Sequence, residues 1–462
     1  MSATEQHVHA GERLLALVGS DLEVPLVGGE RVRYANLDNA ASAPALEQVA
    51  DVVAELLPYY GSVHRGAGFA SLVSTEAYIR AREIVRGFVG AREDDLVLFT
   101  RNTTDAFNLL AGALPAGTTA LTFAGEHHAN LLPWRRGDVR HLPIPASPAA
   151  ALAALETELA GLGGGPALVS VTGASNVTGE IWPIEQIAQL AHRHGARVAL
   201  DAAQLAAHRP IDVAAWDVDY VAFSGHKLYA PYGAGVLAGR ADWLDQGRPY
   251  IAGGGAVRRV TVEEVEWTTG AARHEAGTPA ALGAVAIAAA VRALDEVGWE
   301  RVVAHEQELL ERLLAGLDAL DGVRTYELWE RGHDRVGVVS FNVDGVDPAL
   351  LAAALAAEHG IGVRDGAFCA HPLMDHFAAG SGDGHGGRLR DAVRASIGVG
   401  TSADDIDRLL SAVQRLARDG ASWTYVARDG YVVPEPDPRP RPSLGGLLDG
   451  GPVAGGGSAC RD

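Results

Sequence analysis

Lysine is almost absent from this sequence: of 38 basic residues, Lys227 is the one lysine and the other 37 are arginine. Cysteine is nearly as scarce. Two thiols, Cys369 and Cys460, cannot frame a chain of 462 residues with disulfides, which excludes the small secreted scaffolds. Basic blocks are missing, and the net charge is −20. Nucleic acid and anionic membrane surfaces are therefore excluded as partners. The opening stretch MSATEQHVHAGERLLALVGS has no basic region leading into an apolar one, so no secretion signal is expected. The longest apolar run, AALGAVAIAAAV (280–291), is too short for a bilayer and predicts a buried helix. With 48% hydrophobic residues, the chain can bury a large core in two or three domains. These features predict an acidic, globular, cytoplasmic protein.

Short β-branched runs punctuate the first two thirds: DLVLFT (95–100), ALVSVTG (167–173), ARVALD (196–201) and DYVAFS (219–224). They are continuous rather than alternating, as parallel strands covered on both faces should be. Between them lie helical patterns such as PIEQIAQLAHRHG, with Pro183 at its first turn and Gly195 at its C-cap. The fold class is α/β, a mostly parallel central sheet covered by helices. From about residue 286 longer helices replace the strands. The expected division is an N-terminal segment (1–24), a large domain (25–285), a small α+β C-terminal domain (286–420) and a Pro/Gly-rich disordered tail (421–462). The stretch AAGSGDGHGG (378–387) predicts a mobile loop.

A chain that writes arginine at every other cationic position has a chemical reason to keep one lysine. Arginine does not lose its proton near neutral pH, whereas a desolvated lysine amine does and can then attack a carbonyl. The natural partner is an aldehyde cofactor, pyridoxal 5′-phosphate (PLP), held on Lys227 as a Schiff base. Such a site also needs a phosphate cradle, a carboxylate for the pyridine nitrogen and a flat group against the ring. Thr103 and Thr104, in TRNTTDAFNL, open a helix after a strand, where backbone amides and hydroxyls bind phosphate. Plain N-capping would explain the same residues. Asp201 closes a strand, at the edge where α/β sheets bind ligands, and Gln204 follows it. His127 and His128 are candidates to stack on the ring. No metal is expected.

At this point the ordered motifs LDNAASAP (37–44), VHRG, NTTDAFNL, EHHAN, SNVTGE, DAAQ, FSGHK, RHEAGTP, VRDGAFCAHPLM and RASIG resemble the class V aminotransferase-fold PLP enzymes. The nearest resemblance is to group II cysteine desulfurases and selenocysteine lyases. It implies a homodimer of PLP fold type I with the cofactor on Lys227. Asp201 would pair with the pyridine nitrogen, Gln204 with the ring hydroxyl, and His127 would stack. Thr104, Ser224 and His226 would hold the phosphate, with Thr278 from the other subunit. Asn176 and Arg394 would hold the substrate carboxylate. Cys369 would be the nucleophile that takes sulfur from L-cysteine as a persulfide, with alanine released and the sulfur passed to an acceptor protein.

Cys369 read alone could equally be a small buried hydrophobe. Its setting, between VRDGAF and Pro372, is that of a loop, and Arg364 nearby favours a thiolate. Two histidines usually precede this cysteine in the family, where this chain has Ala367 and Phe368. The rival readings are another class V reaction (an aminotransferase, epimerase or C–S lyase) and a PLP-binding protein without turnover. Cys460, near the chain end, could reach Cys369 on a flexible tether and relay its sulfur.

Overall fold

The four β-branched runs read from the sequence all join one seven-stranded sheet. Its strands are β1 (Asp95–Thr100), β2 (Thr119–Phe123), β3 (Asp138–Leu142), β4 (Ala167–Thr172), β5 (Arg197–Asp201), β6 (Tyr220–Ser224) and β7 (Gly235–Arg240). The order across the sheet is β1-β7-β6-β5-β4-β2-β3. From β6 to β3 every pair is parallel, and β7 runs antiparallel to both its neighbours. This architecture comes from a computed structural model, which describes residues 13–64, 66–380 and 390–447.

The described chain divides into two compact units. The larger comprises Ser42–Val303 and Leu328–Val336; the smaller comprises the chain up to Ala41, Ala304–Glu327 and the residues from Gly337 on. In the larger unit α1 (Thr103–Ala113) lays Ala106, Phe107, Leu109 and Leu110 against Leu98, Leu168, Ala222 and Leu237 of the sheet. Helix α2 (Ile184–Arg193) has Pro183 at its N-cap and His194 at its C-cap; Gly195, with φ +73°, is the residue beyond. The apolar run around residue 285 is α3 (Ala281–Val297), with twelve of its residues buried. Gly298, at φ +91°, separates it from α4 (Trp299–Asp318), so the long helical pattern is two helices.

The smaller unit carries a four-stranded antiparallel sheet of β8 (Val323–Thr325), β9 (Val338–Val343), β10 (Arg364–Gly366) and β11 (Ala392–Ser396), in the order β8-β9-β11-β10. Val339, Phe341, Val393 and Ala395 pack there with Leu309, Leu313, Ile406 and Leu409 from the helices. The LDNAAS segment joins this unit through its backbone. Ala35–Asn36 pairs in parallel with Ile361–Gly362, the Asn39 amide donates to the Ser396 carbonyl at 2.9 Å, and the Ser396 hydroxyl accepts from the Ala40 N–H at 2.9 Å. Residues 25–41 thus group with the C-terminal elements rather than with the large unit assigned from sequence.

Past residue 421, where a disordered tail is expected, Tyr425–Arg428 and Tyr431–Pro434 form an antiparallel hairpin. Asp429 and Gly430 turn it at φ +52° and +79°, and the Glu358 carboxylate accepts from Ser422, Trp423 and Tyr425. A DG turn between β-branched runs is a hairpin signal that the later prolines obscured. Most of the expected loop 378–387 lies outside the described residues, as does Cys460; Ala378–Gly380 end the helix His371–Gly380.

Candidate active site

In the larger unit the candidate residues gather at the carboxyl ends of β4, β5 and β6 and at the start of α1. Asn102 caps α1 by accepting from the Asp105 N–H at 2.9 Å, leaving Thr103 as its first residue. Both the backbone N–H of Thr103 and its hydroxyl lie 2.8 Å from the Ser224 hydroxyl at the end of β6. A helix N-terminus and two hydroxyls so arranged offer donors to an anion. The backbone comes close at this point: a Cβ on Gly235 would stand 2.6 Å from the Asn102 Cα and 2.9 Å from its nitrogen. Thr104, beside Thr103, is exposed.

Lys227 ends a single helical turn, Gly225–Lys227, that follows β6 directly. Gly225 is obligatory in this turn, since a side chain there would meet the carbonyls of Ala234 and Ala230 and the Ile287 side chain within about 3 Å. His226 is half-buried, and burial followed by the charge of Lys227 holds its imidazole below the usual pKa. Asp201 ends β5, the strand beside β6, and accepts from the Ala203 N–H at 2.9 Å. Its full burial pushes the carboxyl up to about 6, against the opposing pull of Lys227. Gln204 is buried one turn later.

His127 caps the short helix His128–Leu131, its Nδ1 accepting from the Ala129 N–H at 3.0 Å. Asn176 is buried in the connection after β4, where the Ser175 N–H donates to the Glu180 carbonyl at 3.0 Å; the Glu180 carboxylate also accepts from the Leu328 N–H at 2.8 Å. Thr278 is exposed. One residue escaped the sequence reading altogether. Glu126, just before the two histidines, accepts from the Thr172 N–H at 2.9 Å and from the Asn130 amide at 2.8 Å. Burial, reinforced by Asp201, pushes it up to about 8.

The smaller unit gathers the rest. Arg364 on β10 and Arg394 on β11 are partners in register. Asp38, from LDNAAS, is also missing from the sequence reading. It lies 3.6 Å from Arg394 and 4.0 Å from Arg364. Burial lowers the Arg394 guanidinium to about 10, with Asp38 working the other way, so it stays charged at neutral pH. The Phe368 ring centre is 5.0 Å from the guanidinium carbon. Cys369 follows, half-exposed, and is the one cysteine among the described residues. Gly366, Phe368 and Cys369 take φ +111°, +54° and +53°. Left-handed conformations at two successive residues with side chains cost on the order of 1–3 kcal/mol each, and such strain concentrates at functional turns. No cluster able to hold a metal ion occurs among the described residues, and none of their helices is long and apolar enough to cross a membrane.

Residues 35–409 match the family model of the class-V aminotransferases. The chain is 34% identical to the probable cysteine desulfurase of Halobacterium salinarum, over 89% of this chain and 98% of that one. It is 35% identical to the cysteine desulfurase of Haloferax volcanii, over 86% and 92% of the two chains. Among solved structures it resembles the apo cysteine desulfurase of Thermococcus onnurineus, with a TM-score of 0.75 at 33% identity, covering 83% of this chain and 95% of that one. The Escherichia coli cysteine desulfurase CsdA gives 0.71 at 29% identity, covering 83% and 94%.

Proposed function

Because the chain belongs to the class-V aminotransferase family, with cysteine desulfurases as its relatives and their PLP fold type I, we propose that it takes sulfur from L-cysteine and releases alanine. It does so as a cytoplasmic homodimer with PLP on Lys227 and an enzyme persulfide on Cys369. The observation that carries this reading is the placement of the sole lysine. It stands on the turn closing β6, next to the strand that ends in the buried Asp201, and its charge acts on that carboxylate.

The residues present fit PLP. The N-terminus of α1, Thr103, Thr104, Ser224 and His226 would hold the phosphate, with Thr278 reaching the cofactor of the other subunit. Asp201 would face the pyridine nitrogen, Gln204 the ring hydroxyl and His127 the ring face. When bound, PLP supplies an electron sink for bond cleavage next to the substrate nitrogen.

The chain's own groups do the rest. The Lys227 amine moves the proton at the substrate α-carbon. Arg394, with Asn176, binds the α-carboxylate through charge-assisted hydrogen bonds. Arg364 and Arg394 favour the thiolate of Cys369, which attacks the substrate sulfur. An S–S bond forms as the carbon–sulfur bond breaks, and the departing electron pair takes up the thiol proton at carbon. The products are alanine and a persulfide on Cys369, from which an acceptor protein would take the sulfur. Incubation with L-cysteine and a dithiol tests the reading: alanine and sulfide should appear in equal amounts. Release of pyruvate and ammonia in place of alanine would show a C–S lyase instead.

A further inference from the structure

Arg394 is faced by groups from three places: Asp38, Arg364 directly across β10 and β11, and Phe368 with Cys369 on the turn after β10. Phe368 is the only one of these that carries neither charge nor titratable proton. It is 8% exposed, and its ring centre stands 5.0 Å from the guanidinium carbon, within cation–π range. An aromatic face attracts a guanidinium without using up its N–H donors. A second carboxylate beside Arg394 would compete with the substrate for those donors, which the ring does not do.

Resting on the desulfurase function, we propose that Phe368 is a positioning residue for substrate recognition: its ring fixes the orientation of the Arg394 guanidinium that binds the α-carboxylate. A charge-neutral ring also adds no titrating charge of its own beside Arg394. A histidine in its place would become cationic below its ordinary pKa near ~6.5 and repel Arg394.

The test uses PLP-loaded protein titrated with L-alanine, followed by the change in cofactor absorbance. Alanine carries the carboxylate but no sulfur, so its affinity does not depend on Cys369 chemistry. Phe368→Leu, which keeps an apolar side chain of similar length, should weaken alanine binding by roughly five- to tenfold, and Phe368→Tyr should stay within about twofold of wild type. Phe368→His should bind much as wild type does at pH 8.5 and lose affinity relative to it at pH 6. Wild-type affinity in Phe368→Leu, or equal losses in the Leu and Tyr variants, would overturn the inference while leaving the desulfurase reading intact. A wild-type protein that neither responds to alanine nor makes it from cysteine overturns both.

Discussion

Glu126 and Asp201 are two buried carboxylates that flank the end of β4 from either side, and the charge of Asp201 raises Glu126. Glu126 accepts the N–H of Thr172, the residue paired in register with Asp201, and each carboxyl is pushed above its ordinary range, to about 8 and about 6. For an acid whose folded pKa is raised, folding opposes ionisation. The resulting destabilisation is absent below the unfolded pKa and grows until pH passes the folded one.

For Glu126 that window runs from about 4.5 to about 8. Glu126→Gln removes this group and should therefore gain on wild type as pH rises. In cofactor-free protein the melting temperature of the variant, minus that of wild type, is expected to increase by about 2 °C or more between pH 5.5 and 8.5. A difference that stays flat across that range would mean Glu126 is already ionised in the folded protein at the lower end.

The single lysine makes the second prediction unusually direct. Borohydride reduction of the PLP-loaded protein should bleach its yellow band and fix the cofactor to Lys227. The only competing amine is the chain's N-terminus. Peptide mapping that found the label solely there would remove Lys227 from its proposed role.

Gly235 supplies the third. Its missing Cβ lets β7 lie against the Asn102 backbone at the entrance to α1. Gly235→Ala would push that entrance, and Thr103 with it, away from Ser224. Because two hydroxyl contacts and the helix N-terminus meet at this spot, the affinity for PLP should drop at least about tenfold. Equilibrium dialysis against PLP reads the loss, and unchanged affinity would locate the phosphate elsewhere.

Much of the larger unit was legible in the sequence because its signals are local. Continuous β-branched runs marked β1, β4, β5 and β6, and the strand-to-helix turns marked Thr103 and Asp201. Pairings distant in the chain were not legible. Nothing near Asp38 announces that its carboxylate faces Arg364 and Arg394, more than 300 residues on. Phe368 read only as a missing histidine, since a contact to Arg394 depends on the φ +54° turn that aims its ring. Glu126 stood in plain view before the two histidines. Its role comes from a hydrogen bond to the next strand, which periodicity does not encode. The hairpin after residue 424 was hidden by the alternating prolines from Pro434 to Pro442, which gave the whole segment the composition of a disordered tail.

The last prediction separates sulfur transfer from every other class V reaction. Cys369 is half-exposed on a strained turn, and its charge acts on the neighbouring Arg394; in the proposed reaction its thiolate is the group that attacks sulfur. Cys369→Ser keeps the size of the side chain and touches neither Lys227 nor Asp201. PLP binding and L-alanine binding should both survive it. Sulfur removal should not, because a hydroxyl is un-ionised near neutral pH and a poor attacker of sulfur. Cysteine turnover is expected to fall at least ~100-fold, with persulfide trapped by an alkylating reagent on wild-type Cys369 alone. Near-normal turnover in Cys369→Ser, yielding something other than alanine, would falsify the nucleophile assignment. It would leave a class V enzyme that uses the same cofactor residues for an aminotransfer, epimerisation or C–S lyase reaction.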